Sequence, residues 1–454
     1  MSVQRVILVL AITSLSLSGC GSAVSPEPSP SSIEPSAAPS TASSPPTPGP
    51  SGSPAPSRST TPSAQAGVWL DAGELHEPRN ATHVVLVRGD KVLVVGSDYE
   101  TSWRSACGAS TNGNDAVEIG DPETGEWEKT TSLPNLRDEP AVVGLPDGRA
   151  LMTGGAAGED IGWSSFSSTY VFDPTTRDWS RSGLMNTART ATAVAVLLDG
   201  RVLVAGGLYM DRTSEEPARA LDSAELWDPR TEAWSRVGKL GQNRSGASAV
   251  TLADGRVLIV GGSTRLGGEP SPLASAEVYD PKSDRWSAAG TLATPRSGFV
   301  LVALPDGGAL VAGGFADIPD APFRRLSTVE RFDPVSNTWS AAADLPYPFA
   351  GASGILLDDG RVLVAGGSVR DAEPVDLDAG TIDSGLTDQA ILFDPATDMW
   401  AATSPMPTPR AGASIVLLVD GSALVVGGSV SEGPFDTPGC PEAHPQAVRF
   451  VPGS

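Results

Sequence analysis

Residues 225–262 read ELWDPRTEAWSRVGKLGQNRSGASAVTLADGRVLIVGG, and this stretch decides the fold. It carries four landmarks, namely Asp228-Pro229, Trp234, Arg244 and the pair Gly261-Gly262. The arginine follows the tryptophan by ten residues, and the first glycine follows it by twenty-seven. Seven tryptophans have a glycine at that distance: Trp69, Trp127, Trp179, Trp234, Trp286, Trp339 and Trp400. Self-similarity at a fixed spacing indicates a repeat protein.

The other landmarks repeat together with the tryptophans. An arginine follows six of them, at Arg79, Arg137, Arg189, Arg244, Arg296 and Arg410, whereas Phe349 takes that place after Trp339. An Asp-Pro precedes six of them, beginning at Asp121, Asp173, Asp228, Asp280, Asp333 and Asp394. The segment from the aspartate to the glycine therefore has a constant length, and only the segment from the glycine to the next aspartate varies.

Each copy predicts four short strands. In the third copy, the apolar and β-branched runs Ala191–Leu197 and Arg201–Ala205 are joined by Asp199-Gly200. This pair is typical of a hairpin with a type I′ turn, in which both central residues take positive φ. Leu221–Trp227 predicts the third strand, and Trp234 marks the fourth. Four antiparallel strands repeated radially form a β-propeller, an all-β fold that leaves only short strand edges.

The landmarks resemble the kelch family. Its motif places an arginine at the start of strand one, Gly-Gly at the end of strand two, an aromatic-Asp-Pro in strand three and a tryptophan in strand four. The resemblance covers residues 67–454 and implies a kelch-type propeller. The departures are Gly96-Ser97 in place of Gly-Gly, Phe349 in place of arginine and Val451-Pro452 in place of Asp-Pro.

Counting the copies predicts seven blades and the way in which the ring closes. Trp69 has no third-strand pattern before it, and the last third-strand pattern, Ala447–Val451, has no tryptophan after it. We therefore expect one blade to be built from both termini. Val68–Asp71 would supply its outer strand, and residues 411–451 would supply the other three.

The first 66 residues differ from the repeats. Residues 1–19 contain a short apolar run followed by small residues, which is typical of a secretion signal and not of a membrane span. Leu17-Ser18-Gly19-Cys20 resembles the bacterial lipobox, which implies cleavage before Cys20 and lipidation of its thiol; the alternative is an ordinary signal with an incidental cysteine. Residues 20–66 are rich in proline and serine and predict a disordered tether. The expected location is extracytoplasmic, anchored to the bacterial cell membrane through Cys20.

The net charge of −23 argues against nucleic acid as a partner and against adhesion to anionic lipid by charge. We expect membrane contact only through the N-terminal anchor. The expected protein is a monomer without a cofactor or a metal.

Two cysteines remain after Cys20 is assigned to lipidation. Cys107 lies in the loop between the second and third strands of the first blade, and Cys440 lies in the same loop of the closing blade. Those blades are neighbours in a closed ring. In an oxidising compartment, a Cys107–Cys440 disulfide would therefore brace the seam, the place where the ring closes. The alternative is two unpaired thiols, because the loops must still bring the two Cα atoms within bonding range.

The loops between the second and third strands carry all the variation in length. The longest belong to blades 6, 7 and 1, which are contiguous in the ring. They carry aromatic and histidine side chains, which suit the binding of a protein or a glycan when they lie in exposed loops. The candidates are Tyr99, Trp103, Phe435 and His444. The alternative is that each packs against its own loop. We therefore expect a non-catalytic binding module that acts through these loops.

The repeated arginines have two interpretations. They could ring the channel mouth and hold an anionic ligand bidentately, with Arg79 and Arg410 as the ligand-binding candidates. Glutamates three residues before the Asp-Pro recur with the same period, at Glu118, Glu225, Glu277 and Glu330, so ion pairing between blades is the simpler account. The repeated tryptophans are expected to form the core between blades.

An enzyme that uses the same face is the alternative function. Some kelch-type propellers are galactose oxidase-like copper enzymes, and others isomerise sugars. The oxidase site needs two tyrosines, two histidines and a cysteine cross-linked to one tyrosine. His76, His83 and His444 are the only histidines, and no motif matches the rest of such a site.

Overall fold

The computed structural model describes residues 67–79, 81–97, 115–159, 162–211, 213, 218–266, 269–318, 321–369, 385–429 and 443–453. Over these residues the regular structure is entirely β, as predicted. This part of the chain therefore contains no helix long and apolar enough to span a bilayer. The predicted signal, Cys20 and the tether lie outside the described residues, as do Cys107 and Cys440.

Strand β1 (Val68–Arg79) belongs to the last blade. Blade 1 contains β2 (Ala81–Val87), β3 (Lys91–Ser97), β4 (Val117–Asp121) and β5 (Glu126–Lys129). Blade 2 contains β6 (Ala141–Gly144), β7 (Ala150–Thr153), a hairpin of β8 (Ala156–Glu159) and β9 (Gly162–Ser165), then β10 (Ser168–Asp173) and β11 (Asp178–Leu184). Blade 3 contains β12 (Ala193–Val196), β13 (Val202–Ala205), a hairpin of β14 (Leu208–Met210) and β15 (Ala218–Ala220), then β16 (Ala224–Asp228) and β17 (Ala233–Arg236).

Blade 4 contains β18 (Ser248–Thr251), β19 (Val257–Val260), a hairpin of β20 (Ser263–Leu266) and β21 (Glu269–Pro272), then β22 (Ser275–Asp280) and β23 (Arg285–Thr291). Blade 5 contains β24 (Val300–Ala303), β25 (Ala309–Ala312), a hairpin of β26 (Phe315–Ile318) and β27 (Ala321–Arg325), then β28 (Val329–Asp333) and β29 (Thr338–Ala342). Blade 6 contains β30 (Ser353–Leu356), β31 (Val362–Ala365), β32 (Ala390–Asp394) and β33 (Met399–Ala402). Blade 7 contains β34 (Ser414–Leu417), β35 (Ala423–Val426), β36 (His444–Val451) and β1.

The seven blades close into a ring. The first strands contact one another in the order β2, β6, β12, β18, β24, β30, β34 and back to β2, so they surround the axis. In blade 7, β1 pairs antiparallel with β36, and Val68 lies opposite Val451 while Trp69 lies opposite Phe450. One sheet therefore joins strands from both ends of the chain, as the count of copies predicts.

The second strand of each blade is the centre of the core. All four residues of Val202–Ala205 are buried, and so are those of Val257–Val260 and Val362–Ala365. These runs are apolar on both faces of the strand because a neighbouring blade covers each face. The hydrophobic clusters accordingly combine residues of adjacent blades, such as Leu203 of blade 3 with Ile259 of blade 4.

The tryptophans of the fourth strands lie at the blade-to-blade contacts, but most are less buried than predicted. Trp127 and Trp179 are buried, whereas Trp69, Trp234, Trp286, Trp339 and Trp400 are half-buried. The reason is position, because the fourth strand is the outer strand of each blade. Five of them stack in tilted pairs on an aromatic residue of the third strand: Trp69–Phe450, Trp179–Phe172, Trp286–Tyr279, Trp339–Phe332 and Trp400–Phe393.

The Asp-Gly turns lie where predicted but have a different geometry. Gly200 takes φ of +85°, whereas Asp199 is not among the residues with positive φ. The Gly200 amide donates to the Leu197 carbonyl, and the Leu197 amide donates to the Arg201 carbonyl. This is the three-residue hairpin loop, a type I turn followed by a left-handed glycine, and not the two-residue type I′ turn.

Gly200→Ala is expected to lower the free energy of unfolding by about 1–2 kcal/mol, because only glycine takes this left-handed conformation without strain. The added Cβ would meet only ordinary contacts, with Pro146 Cγ at 3.6 Å, so the cost is one of backbone conformation. Urea unfolding followed by fluorescence measures it. Leu198→Ala, at the exposed neighbour in the same turn, serves as the control and should change stability by no more than about 0.5 kcal/mol. Equal losses in the two variants would contradict the argument.

Candidate functional site

Four hairpins project from blades 2 to 5 on the face that carries the loops between second and third strands. They are β8–β9, β14–β15, β20–β21 and β26–β27, and each begins directly after the Gly-Gly that ends the second strand. Sequence reasoning treated these segments as loops of variable length. The missed signal is a second β-pattern inside the loop, such as Leu208–Met210 followed by Ala218–Ala220.

The hairpins of blades 2, 3 and 4 pack against one another. With the hairpin of blade 5 they form a hairpin rim, whose described residues are 156–159, 162–165, 208–211, 213, 218–220, 263–266, 269–272, 315–318 and 321–325. Contacts join β9 to β14 and β15 to β20. The Ser165 hydroxyl donates to the Leu208 carbonyl (3.1 Å) and accepts from the Met210 amide (3.0 Å). These bonds link blade 2 to blade 3 above the sheets, so this part of the face has a defined surface.

Arginine–aromatic contacts are a feature of the hairpin rim. The Arg219 guanidinium lies 4.8 Å from the centre of the Tyr209 ring, and that of Arg325 lies 5.3 Å from the centre of the Phe315 ring. Such contacts join a cation to the negative face of the ring. Trp163 is half-buried on the same rim. Aromatic and arginine side chains are the types enriched where proteins bind one another.

Of the four candidate residues in the long loops, the structure describes only His444. Tyr99, Trp103 and Phe435 lie outside the described residues, so their role stays a prediction. The Cys107–Cys440 disulfide and lipidation of Cys20 stay predictions for the same reason. His444 is the first residue of β36, and its Nδ1 accepts a hydrogen bond from the Gln446 amide (3.0 Å). Burial and the nearby Arg410 charge lower the pKa of His444 to about 4, so this side chain is neutral at pH 7.

The repeated arginines are internal structural elements in four blades. In blade 3, Arg189 Nη2 donates to Glu225 Oε1 (2.8 Å), and Nη1 donates to the carbonyls of Gly206 and Ser223. The same pairing recurs at equal distance in Arg79–Glu118, Arg244–Glu277 and Arg296–Glu330. The predicted ion pairing is confirmed, but its placement differs, because Arg189, Arg244 and Arg296 each pair with a glutamate of the blade that they lead into. Only Arg79, at the end of β1 in blade 7, pairs with a glutamate of another sheet, Glu118 of blade 1.

The glutamate also ties the blade to the chain segment that arrives from the preceding one. Glu225 Oε2 accepts from the Asn186 amide (2.6 Å), and Oε1 accepts from the Thr187 amide (3.0 Å). Arg79 is 1% exposed and its guanidinium is held by Glu118 and by the Ala116 carbonyl (2.6 Å). The structure therefore places Arg79 in the blade interior and not on a surface where a ligand would meet it.

Two arginines lack the glutamate. The residue in its place is Tyr170 in blade 2, and Arg137 stacks on that ring (5.1 Å) and on Phe166 (4.8 Å). In blade 7 the residue is Val448, so Arg410 is buried without a carboxylate from the equivalent position. Of the two arginines predicted as ligand-binding candidates, Arg410 is therefore the one whose buried guanidinium has unsatisfied donors.

A cavity of about 390 Å³ lies in the central channel, lined mainly by small residues of the first strands. His83 of blade 1 and Glu139 of blade 2 are its titratable residues, and Thr192 and Ser248 add hydroxyls. Burial lowers the pKa of His83 to about 4. His76 does not line this cavity, and its Nδ1 forms a hydrogen bond with Glu118 Oε2 (3.0 Å). The two histidine side chains therefore have different surroundings. Among the residues that the structure describes, no three His, Cys, Asp or Glu side chains converge as metal ligands would.

The His83→Gln variant is expected to be less sensitive to acid than the wild type. Well above pH 6.5 His83 is neutral in both the folded and the unfolded state, so this residue contributes no pH dependence there. As the pH falls from 6.5 towards 4, the unfolded state takes up a proton that the folded state does not bind, and stability is lost by up to about 2–3 kcal/mol. Urea unfolding at pH 7 and pH 4.5 measures the difference. A variant that loses as much stability as the wild type between these two pH values would show that His83 does not titrate in this way.

Comparisons with known proteins agree with this geometry. The Kelch motif matches residues 189–241, 244–293 and 296–346. The chain is 25% identical over 291 residues to Kelch-like protein terF of Aspergillus terreus, covering 63% of this chain and 61% of that protein. It is 24% identical over 295 residues to Kelch-like protein 36 of Bos taurus (65% and 44%) and 26% identical over 277 residues to Kelch-like protein 35 of Mus musculus (61% and 41%). The chain thus spans about half the length of the curated relatives it matches.

A solved structure shares the fold. It is described as a novel fungal alcohol oxidase of the AA5 family in complex with copper, and it superposes with a TM-score of 0.62 at 20% identity. The match covers 85% of this chain and 76% of that one, and at this low sequence identity it supports only a shared fold. Three matched Kelch segments, seven four-stranded blades and the Kelch-like relatives lead to one conclusion: residues 189–346 carry Kelch motifs, within a seven-bladed propeller of the kelch-repeat type.

Proposed function

We propose that the protein is a non-catalytic interaction module of the cell envelope, which binds a protein or a glycan through the face that carries its loops and hairpins. One observation carries the proposal. The repeated glutamates, the tryptophans and the arginines other than Arg410 are engaged inside and between the blades, whereas the face with the variable loops carries side chains that the repeat itself does not use. A rigid scaffold with variable loops is the usual arrangement for binding.

The envelope location rests on the N-terminal sequence. A signal in residues 1–19, a lipid on Cys20 and a tether over residues 20–66 would hold the propeller away from the membrane surface. The long loops of blades 6, 7 and 1 would then be presented to partners, with Tyr99, Trp103 and Phe435 as the contact residues. Intact mass spectrometry of the protein from its own membrane fraction tests the anchor, because lipidation adds the mass of the acyl chains at Cys20.

The binding test uses the full chain as bait against detergent-solubilised envelope and against an array of envelope glycans. Three baits are compared: the wild type, a Tyr99→Ala/Trp103→Ala/Phe435→Ala variant, and a Trp163→Ala/Tyr209→Ala variant of the hairpin rim. Each is first checked for folding by its thermal unfolding midpoint. The rim variant is the matched control, because it also removes aromatic rings from the same face but at blades 2 and 3.

The expected result is a ligand that the wild type and the rim variant retain and the long-loop variant loses. Loss in the rim variant alone would move the site to the hairpins of blades 2 to 5. A glycan that is chemically altered by the wild type would favour the alternative function, an enzyme that acts on sugars. Absence of any ligand in both assays would count against the interaction module.

A further inference from the structure

Arg410 differs from the other repeated arginines in having both Nε and Nη2 buried without a hydrogen bond. It is 1% exposed, and its Nη1 donates to the carbonyls of Gln446 (2.9 Å) and Gly427 (3.3 Å). In blades 1, 3, 4 and 5 the equivalent Nη2 donates to a glutamate. The guanidinium of blade 7 is therefore only partly satisfied by its own blade.

The sequence explains the difference at two positions. Val448 stands where the other four blades have the glutamate, and it is fully buried. Gln446 stands two residues earlier, where blades 3 to 5 have a serine or threonine whose hydroxyl accepts from the arginine: Ser223, Ser275 and Thr328. Both acceptors of Nη2 are therefore replaced in blade 7.

The charge of Arg410 persists in this setting. Burial lowers its pKa to about 10, so the guanidinium stays protonated at neutral pH. The nearby His444 is neutral at that pH and supplies no negative charge. A buried cation with unsatisfied donors is strongly unfavourable, and proteins normally pair such a charge.

Blade 6 shows how the repeat loses the ion pair without leaving a charge behind. Phe349 replaces the arginine and Ile391 replaces the glutamate, and both side chains are buried in one apolar cluster. Blade 7 has replaced only the acid. The retained arginine therefore points to an acceptor that the blade itself does not supply.

We infer that blade 7 contains a binding site for a small monoanion, a carboxylate or a halide, held by Nε and Nη2 of Arg410. The anion would lie where the glutamate carboxylate lies in the other blades. There the carboxylate also accepts from the arriving backbone, as Glu225 does from the Thr187 amide (3.0 Å). Thr408 has the equivalent position in blade 7, two residues before the arginine, so its amide is the equivalent donor. Pro407, one residue earlier, has no amide hydrogen, so fewer backbone donors remain than in blade 3, which suits a small anion of single charge.

The test measures the thermal unfolding midpoint of the full chain at constant ionic strength, while sodium isethionate is replaced by sodium chloride or sodium acetate. Isethionate is the bulky reference anion, and the two replacements distinguish a halide from a carboxylate. The wild-type midpoint should rise by about 2–4 °C, because a ligand that binds only the folded state stabilises it.

Val448→Glu restores the carboxylate of the other blades, so it should raise the midpoint in isethionate and abolish the response to chloride and acetate. Val448→Gln is the matched control, because its amide fills the position of the anion without supplying a charge; it should also lose the response, but it should not raise the midpoint in isethionate as Val448→Glu does. Arg410→Phe copies blade 6 and should fold and lose the response, which keeps the test decisive where Val448→Glu does not fold. Equal responses in the wild type and Val448→Glu, or no response in the wild type, would overturn the inference.

Discussion

Glu225→Gln is expected to lower the free energy of unfolding by about 3–5 kcal/mol, as is found when one partner of a buried ion pair is removed. Both Arg189 and Glu225 have fully buried side chains, so the variant leaves the Arg189 charge without its counter-ion. It also weakens the bonds that Glu225 accepts from the amides of Asn186 and Thr187. Equilibrium urea unfolding followed by tryptophan fluorescence measures the loss.

The matched control for this prediction comes from the protein itself. The double variant Arg189→Phe/Glu225→Ile installs in blade 3 the pair that blade 6 carries as Phe349 and Ile391. Because it removes both charges and keeps apolar bulk, we expect it to be more stable than Glu225→Gln. A double variant that is less stable than the single one would show that the charge left in the blade is not the source of the loss.

Trp127→Ala is expected to lower the free energy of unfolding by about 3–5 kcal/mol, the usual cost of removing a buried aromatic side chain. Trp127 is 5% exposed, and its indole packs over Gly120, which has no side chain to obstruct the ring. Its Nε1 donates to the Ala72 carbonyl (2.8 Å), so it also fastens β1 of blade 7 to blade 1. Urea unfolding measures the loss, and hydrogen exchange of the β1 amides locates it.

Trp286→Ala is the control for Trp127→Ala. Trp286 occupies the same position in blade 4 but is half-buried, and its Nε1 bond goes to Gly238 within the continuous part of the ring. We expect a smaller loss and no selective increase in exchange at β1. Equal effects of the two variants on β1 would contradict a role for Trp127 at the seam.

Most of the fold follows from the sequence because its signals are local. A hairpin turn, a buried second strand and an aromatic pair each depend on residues a few positions apart, and the fixed spacing repeats them seven times. The closing blade is a long-range feature that was also predicted, since the unmatched patterns at the two ends complete each other. The geometry of the Asp-Gly turns was not predicted correctly, because the dipeptide alone does not distinguish a two-residue loop from a three-residue loop.

The candidate site was less predictable from sequence. The ion pairs were recognised by their period, but a period does not tell whether the partner lies in the same blade or in the next one. The hairpin rim was missed because its strands, such as Leu208–Met210, are short and are stabilised by neighbouring hairpins rather than by their own composition. The residues of the long loops stay predictions.

The sequence by itself determined the repeat, the number of blades and the resemblance to the kelch motif, because these depend on the identity and spacing of residues such as Trp234 and Arg244. Only the tertiary structure decided which groups are satisfied. Arg79 and Arg410 have the same place in the repeat, yet one meets Glu118 and the other has Val448 in that position. The difference arises from a strand that is remote in sequence, and burial turns that one substitution into an unbalanced charge.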